Sequence, residues 1–228
     1  MKPYIITHMG ISVDGRIDGE HWGDIKGMEE YERTGELLEG DAWMVGRVTM
    51  ELHFASKEEV KLNPPKQKID LSDFVAAYNA EAFAIVVDAA GKLFYDDAYV
   101  DGDHIIAVLT KKVSDAYLNY LKNKNISYIF GGATEIDFEV VMEKLFNLFN
   151  IKRLLLEGGG GINGSVLKAV LVDELSVLQF PVVDGMLNTP ALFDIREEVK
   201  QQPSAHLQLI SVERLQHDIL WLRYKVTK

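Results

Sequence analysis

Residues 154–161 read Leu-Leu-Leu-Glu-Gly-Gly-Gly-Gly, an apolar run that stops at Glu157 and four consecutive glycines. Ile162, Val166, Leu167 and Val170 then recur at spacings of three and four, the period of a helix face. Strand, glycine turn and helix in that order bring free backbone N–H groups and the positive end of a helix to one place. That suits a phosphate or pyrophosphate. Glycine is favoured there because a Cβ would block close approach of the backbone and strain any positive φ. The spacing is neither G-x-G-x-x-G nor a P-loop, since the following Lys168 lies on the helix. A tight turn without ligand is the competing account. The ligand account expects Gly160→Val to abolish cofactor binding in a protein that still folds.

Two further stretches carry groups that could bind an anion. Gly46-Arg47-Val48-Thr49 is a second glycine opening a helical turn after a short apolar run, Ala42 to Val45. Thr110-Lys111-Lys112 sets a hydroxyl and two cations just after the run His104 to Leu109. Loops beyond the carboxyl ends of parallel strands are where α/β sheets take their ligands. A surface arginine at a helix start and a solvated turn are the plainer alternatives. The six histidines show no H-x-x-x-H or H-x-H spacing, so no metal site is expected. No G-x-S-x-G elbow is present either.

Composition narrows the classes. A hydrophobic fraction of 47% over 228 residues supports a substantial core. A net charge of -11 disfavours non-specific nucleic-acid binding. The absence of cysteine removes disulfides, thiolate metal sites and cysteine nucleophiles. No apolar stretch reaches the ~18 residues of a membrane span, so a cytoplasmic protein without membrane contact is expected.

The elements that position these groups alternate. Strands are expected at Tyr4 to Val13, Ala42 to Val45, Phe83 to Val87, His104 to Leu109 and Ile126 to Phe130. Further strands are expected at Leu154 to Leu156, after Asp173-Glu174, and at Leu207 to Val212 and Ile219 to Val226. Helices are expected at Glu29 to Leu38, at Ala116 to Lys122 behind Ser114, and after Asp137. Ala55 to Asp73, polar and holding Pro64-Pro65, reads as an exposed loop or partner-contacting arm. The order implies one α/β domain over residues 1–228, with a mostly parallel sheet and an antiparallel C-terminal hairpin.

In this order the residues resemble the reductase domain of the riboflavin-biosynthesis deaminase–reductase, in the dihydrofolate-reductase-like superfamily. The resemblance rests on Leu155-Leu156-Glu157-Gly158-Gly159, Ile162-Asn163-Gly164-Ser165 and Leu171-Val172-Asp173-Glu174-Leu175. Ser12-Val13-Asp14-Gly15-Arg16-Ile17 and Val45-Gly46-Arg47 with Thr49 add to it. It implies a mixed, mostly parallel central sheet flanked by helices, a homodimer, and NADPH as cofactor. Gly158, Gly159, Gly160, Gly161 and Ile162 would hold the pyrophosphate, and Gly46, Arg47 and Thr49 the other side of the cofactor. Thr110 and Lys111 would lie near the 2′-phosphate. Glu157 would face a small-molecule substrate, and Asp14 and Trp22 would border its pocket. The proton would come from Glu157, Asp14 or water. The family's Asp-Asp-Pro substrate segment is replaced by Met50-Glu51-Leu52-His53-Phe54. The expected substrate is therefore a small carbonyl or imine compound ahead of the ribosylaminopyrimidine phosphate, with Lys57, Lys61, Lys66 and Lys68 as substitute cations. A non-catalytic dimeric NADP(H)-binding protein and a nucleotide transferase are the alternatives.

Overall fold

The computed structural model describes residues 1–19, 22–58, 60–65, 67–195 and 204–227. In chain order the elements are β1 (Tyr4–Ile11), α1 (Glu29–Leu37), β2 (Ala42–Gly46), α2 (Arg47–His53), β3 (Phe83–Val87), β4 (Tyr99–Val100), β5 (Asp103–Thr110) and α3 (Asp115–Asn123). They continue with β6 (Ser127–Gly132), α4 (Phe138–Phe149), β7 (Arg153–Leu156), α5 (Gly160–Lys168), β8 (Glu174–Gln179), β9 (His206–Arg214) and β10 (Leu220–Thr227).

Two compact units share the chain. One comprises Met1–Pro3 and Asp41–Lys152, the other Tyr4–Gly40 and Arg153–Lys228. In the first, β2, β3, β5 and β6 run parallel, with β3 between β2 and β5, and short β4 antiparallel to β5. In the second, β1 lies between β7 and β8, parallel to both, and β8, β10 and β9 follow antiparallel. A mostly parallel sheet with an antiparallel C-terminal hairpin is the architecture expected from the sequence.

The chemistry of the segments accounts for these elements. All five residues of β3 are buried, as a strand covered on both faces requires. The Ser114 side chain caps α3 by accepting from Tyr117 N, and Asp137 caps α4 by accepting from Glu139 N and Val140 N. β1 ends at Ile11, short of Val13, because Ser12 closes a turn. Its Oγ accepts from Arg16 N at 2.9 Å and donates to Asp14 at 2.7 Å. The unexpected β4 is set by Asp101-Gly102, both at positive φ, which folds Tyr99–Val100 back on β5 as a two-residue hairpin. Residues 55–73 are not simply an exposed arm. Leu62, Ile69 and Leu71 pack against the core, and Asp73 accepts from Phe130 N at 2.8 Å and Lys144 Nζ at 2.9 Å.

His8 is fully buried in β1 and stacks on Tyr31 of α1. Trp221 Nε1 donates to Ser176 Oγ at 2.8 Å, and that hydroxyl lies 3.0 Å from His8 Nδ1. The Tyr31 carbonyl, 3.1 Å from Nε2, can only accept, so Nε2 carries the proton of a neutral ring. Burial pushes the His8 pKa down from 6.5 to about 4. The unfolded chain therefore binds the extra proton first between those values. Stability from neutral His8 is complete above pH 6.5 and falls as pH drops toward 4, by about 3 kcal/mol at ~1.4 kcal/mol per unit. Denaturant melts at pH 7 and pH 4 should show this loss, and His8→Phe should reduce it.

Candidate active site

In the second unit, parallel β7 and β1 end side by side, with Leu156 in register with Thr7. Glu157 follows β7 at once and is half-buried. Burial, and after it the Glu157 carboxylate, raises the Tyr31 hydroxyl well above its ordinary pKa, so the carboxylate's field reaches α1. Gly158 sits at φ 91°, followed by a cis peptide to Gly159. A Cβ on Gly158 would lie 3.0 Å from the Met9 thioether.

The other glycines divide. Gly159 is the N-cap of α5, and no side chain among the described residues caps this helix. Gly159, Gly161 and Ile162 are partly exposed, whereas Gly160 is buried. A Cβ on Gly160 would meet Ala191 O at 2.2 Å, and one on Gly164 would meet Asp194 O at 2.5 Å. Asp194 N donates to Gly160 O at 2.9 Å, and Asn163 Nδ2 to Leu192 O at 3.0 Å. Residues 191–194 thus lie on the start of α5, and Gly160 and Gly164 are glycines because that backbone passes over them. This corrects the expectation that Gly160→Val would leave the fold intact. The uncapped first turn of α5, with Gly159 and Gly161 open, retains the chemistry of an anion site.

Asp14 and Trp22 are brought together through Asp184. Asp14 accepts from Gly185 N at 3.0 Å, from Ser12 Oγ at 2.7 Å and from Asp184 N at 2.9 Å. Those hydrogen bonds hold its pKa down to about 2, the Gly185 amide contributing most. Asp14 is therefore a carboxylate at neutral pH with no proton to give. Trp22 Nε1 donates to Asp184 Oδ2 at 3.0 Å. Asp184, Asp194 and Asn163 are the residues that sequence reasoning missed. Asn163 lay in a motif that carried the resemblance, without a role; the partners that give all three their roles, Trp22 and Asp14 for Asp184, Gly160 O for Asp194 and Leu192 O for Asn163, are remote in sequence.

In the first unit, Gly46 and Thr110 close the parallel strands β2 and β5 at the same end, with β3 between them. Gly46 is the N-cap of α2 and makes no side-chain cap. Arg47 pairs with Glu51 one turn on, so its charge is already partly neutralised. Thr49 is half-buried. Thr110 donates its hydroxyl to Ala89 O at 2.7 Å, which leaves Lys111 and Lys112, both exposed, as the open cations of that turn. Of the loop lysines, Lys57 contacts Glu51 O, Lys61 and Lys68 are exposed, and Lys66 lies outside the described residues. Among the described residues no group of three His, Asp or Glu is placed to hold a metal, and no helix is long and apolar enough to cross a membrane.

The family model described as the RibD C-terminal domain matches residues 3–221. The chain belongs to the RibD C-terminal domain family. Within that family, the 2,5-diamino-6-ribosylamino-4(3H)-pyrimidinone 5′-phosphate reductase of Methanothermobacter thermautotrophicus is 28% identical over 202 residues, 85% of each chain. The protein of the same name from Archaeoglobus fulgidus is 23% identical over 199 residues, covering 85% of this chain and 87% of its own. A pyrimidine reductase-like protein of Corynebacterium diphtheriae has the same fold, with a TM-score of 0.72 at 14% identity over 99% of this chain and 92% of its own. The riboflavin biosynthesis reductase of Saccharomyces cerevisiae superposes with a TM-score of 0.64 at 16% identity, over 99% of this chain and 90% of its own.

Proposed function

We propose that this chain is an NADPH-dependent reductase acting on a ribosylaminopyrimidine 5′-phosphate in riboflavin formation. The observation that carries this is the family match over residues 3–221, joined by relatives that bear the reductase name over 85% of the chain. This reading displaces the unphosphorylated carbonyl or imine compound that the missing Asp-Asp-Pro segment suggested. We assign Gly158, Gly159, Gly160, Gly161 and Ile162 to the pyrophosphate, and Gly46, Arg47, Thr49, Thr110 and Lys111 to the rest of the cofactor. The uncapped start of α5 and the exposed Lys111 support the fit. Bound NADPH supplies the hydride; the chain supplies binding, orientation and a proton. Glu157 faces the substrate, where it orients the acceptor and donates the proton. Asp14 stays ionised and braces the 12–17 turn beside Trp22. We also propose that the chain acts as one reductase domain, in the cytoplasm, as a homodimer.

The test is loss of NADPH absorbance with the diaminoribosylaminopyrimidinone phosphate as substrate. Turnover in the range of ~1–10³ per second is expected. NADPH binding without turnover would favour the non-catalytic alternative. NADPH should be preferred over NADH, and Lys111→Ala should narrow the preference roughly ten- to a hundred-fold, the scale of a charge-assisted phosphate contact of ~1.5–3 kcal/mol. Arg47→Ala should do less, because Glu51 already holds that guanidinium. Equal affinity of the unaltered protein for both cofactors would remove the 2′-phosphate assignment.

A further inference from the structure

The segment that crosses the start of α5 brings a charge with it. A Cβ on Gly160 would lie 2.9 Å from Asp194 Oδ2 and 3.3 Å from the Asp194 carboxyl carbon. The carboxylate therefore sits beside the first turn of α5. Among the described residues it accepts from Ala191 N at 3.2 Å and from no amide of α5. No described cation pairs with it. It is not a cap, since a capping carboxylate takes up the free amides of the turn. The segment is held from both sides. Asn163 Nδ2 donates to Leu192 O, and Asp194 N donates to Gly160 O at 2.9 Å. From the other side Leu192 N donates to Gly15 O at 3.2 Å, Ile17 N to Pro190 O at 3.0 Å and Arg16 Nη1 to Thr189 O at 2.7 Å. Asp194 does not leave Gly160 without breaking bonds that also hold the turn of Asp14.

We infer that Asp194 limits how tightly the cofactor is held, its carboxylate opposing the pyrophosphate at the start of α5; the inference rests on the assignment of that turn to the pyrophosphate. In the cofactor-free chain the charge is favourable, because the dipole of a helix attracts a carboxylate to its N-terminus. A pyrophosphate is drawn to the same place by the same field and carries the same sign of charge. The two therefore repel wherever both are present, and the bonds of the segment keep Asp194 present. A brace alone needs no charge there. Asparagine has the shape of aspartate and an oxygen that can accept from Ala191 N, so only the charge separates the two side chains. A reductase must release its oxidised cofactor in every cycle. A fixed like charge beside the pyrophosphate favours that release, since differences in affinity lie mostly in the dissociation rate. Asp194 faces a group that NADPH and NADH share, so it sets affinity without choosing between them. Lys111 does the reverse.

Titration of the full chain and of Asp194→Asn with NADPH and with NADH, followed by nicotinamide fluorescence, tests this. NADP⁺ is added by competition, and each cofactor-free protein is melted alongside. Asp194→Asn should bind all three ~10-fold or more tightly, the scale of one like-charge contact at intermediate dielectric. The NADPH-to-NADH preference should not change. The gain should shrink at high salt, where the repulsion in the unaltered protein is screened. Equal affinity of the two proteins overturns the role of Asp194 and leaves the pyrophosphate assignment standing. Weaker binding by the variant overturns it too, and a lower thermal midpoint then marks Asp194 as a brace for the segment. Tighter binding of NADPH alone overturns it by moving the contact to the 2′-phosphate. If neither protein binds any of the three, the inference falls together with the cofactor assignment. If Asp194→Asn fails to fold, Asp194→Ser, which keeps an oxygen for Ala191 N, puts the same question.

Discussion

Gly161→Asp should lower NADPH affinity by about a thousand-fold while leaving the fold intact or slightly more stable. Gly161 is the second residue of α5 and partly exposed. An aspartate there meets the cofactor's pyrophosphate as a like charge. At ~4 Å and an effective dielectric of ~20, that repulsion is about 4 kcal/mol. For the free protein the same change is favourable. A carboxylate in the first turn of a helix contributes ~0.3–1 kcal/mol, and replacing a helical glycine adds a few tenths more. The two accounts of the turn thus predict opposite results. A turn without ligand gives a protein of unchanged affinity and equal or higher melting temperature. A pyrophosphate site gives lost affinity at that same melting temperature. Cofactor titration and a thermal melt on one sample check it, and retained affinity would remove the pyrophosphate assignment.

Gly160 would be the wrong place to ask, and the reason shows where sequence reasoning stopped. The glycine run, its strand and its helix could be read from apolar periods and from the change of period at Glu157. The caps at Ser114 and Asp137 could be read from side chains that satisfy amides two or three residues away. What holds Gly160 is Ala191 O, thirty-one positions on, and no local pattern encodes that approach. Asp14 is the same case. The resemblance offered it as one of three proton donors, but amides of residues 184 and 185 take up its charge. Thr110 gives its hydroxyl proton to Ala89 O, twenty-one positions back, another contact that no local pattern encodes. The Arg47–Glu51 pair is different. Its i,i+4 spacing is local and could have been read from the sequence, although Arg47 was expected there to be open to the cofactor.

Removing Asp14 from the proton donors sharpens the last expectation, that Glu157→Gln lowers kcat by ~10²–10⁴ while changing KM only a few-fold. General acid catalysis contributes on that scale. Glutamine keeps the shape of glutamate and its ability to orient an acceptor, but it has no proton to deliver. A group that only positions substrate would be largely replaced by the amide, so a fall in kcat of less than ~10-fold would leave water as the donor. The pH profile separates the two further. If Glu157 must be protonated to act, kcat of the unaltered enzyme falls as pH rises through its pKa in the complex, and Glu157→Gln flattens that limb. Asp14→Asn is the matched control. It can still accept from the turn through one oxygen, and it alters a group that is ionised at every pH of the assay. Its kcat should therefore stay within a few-fold of the unaltered enzyme, with the loss appearing in the thermal midpoint as the 12–17 turn loosens. Reversal of that contrast, with Asp14→Asn slow and Glu157→Gln nearly normal, would move the proton away from β7 and onto the turn after β1.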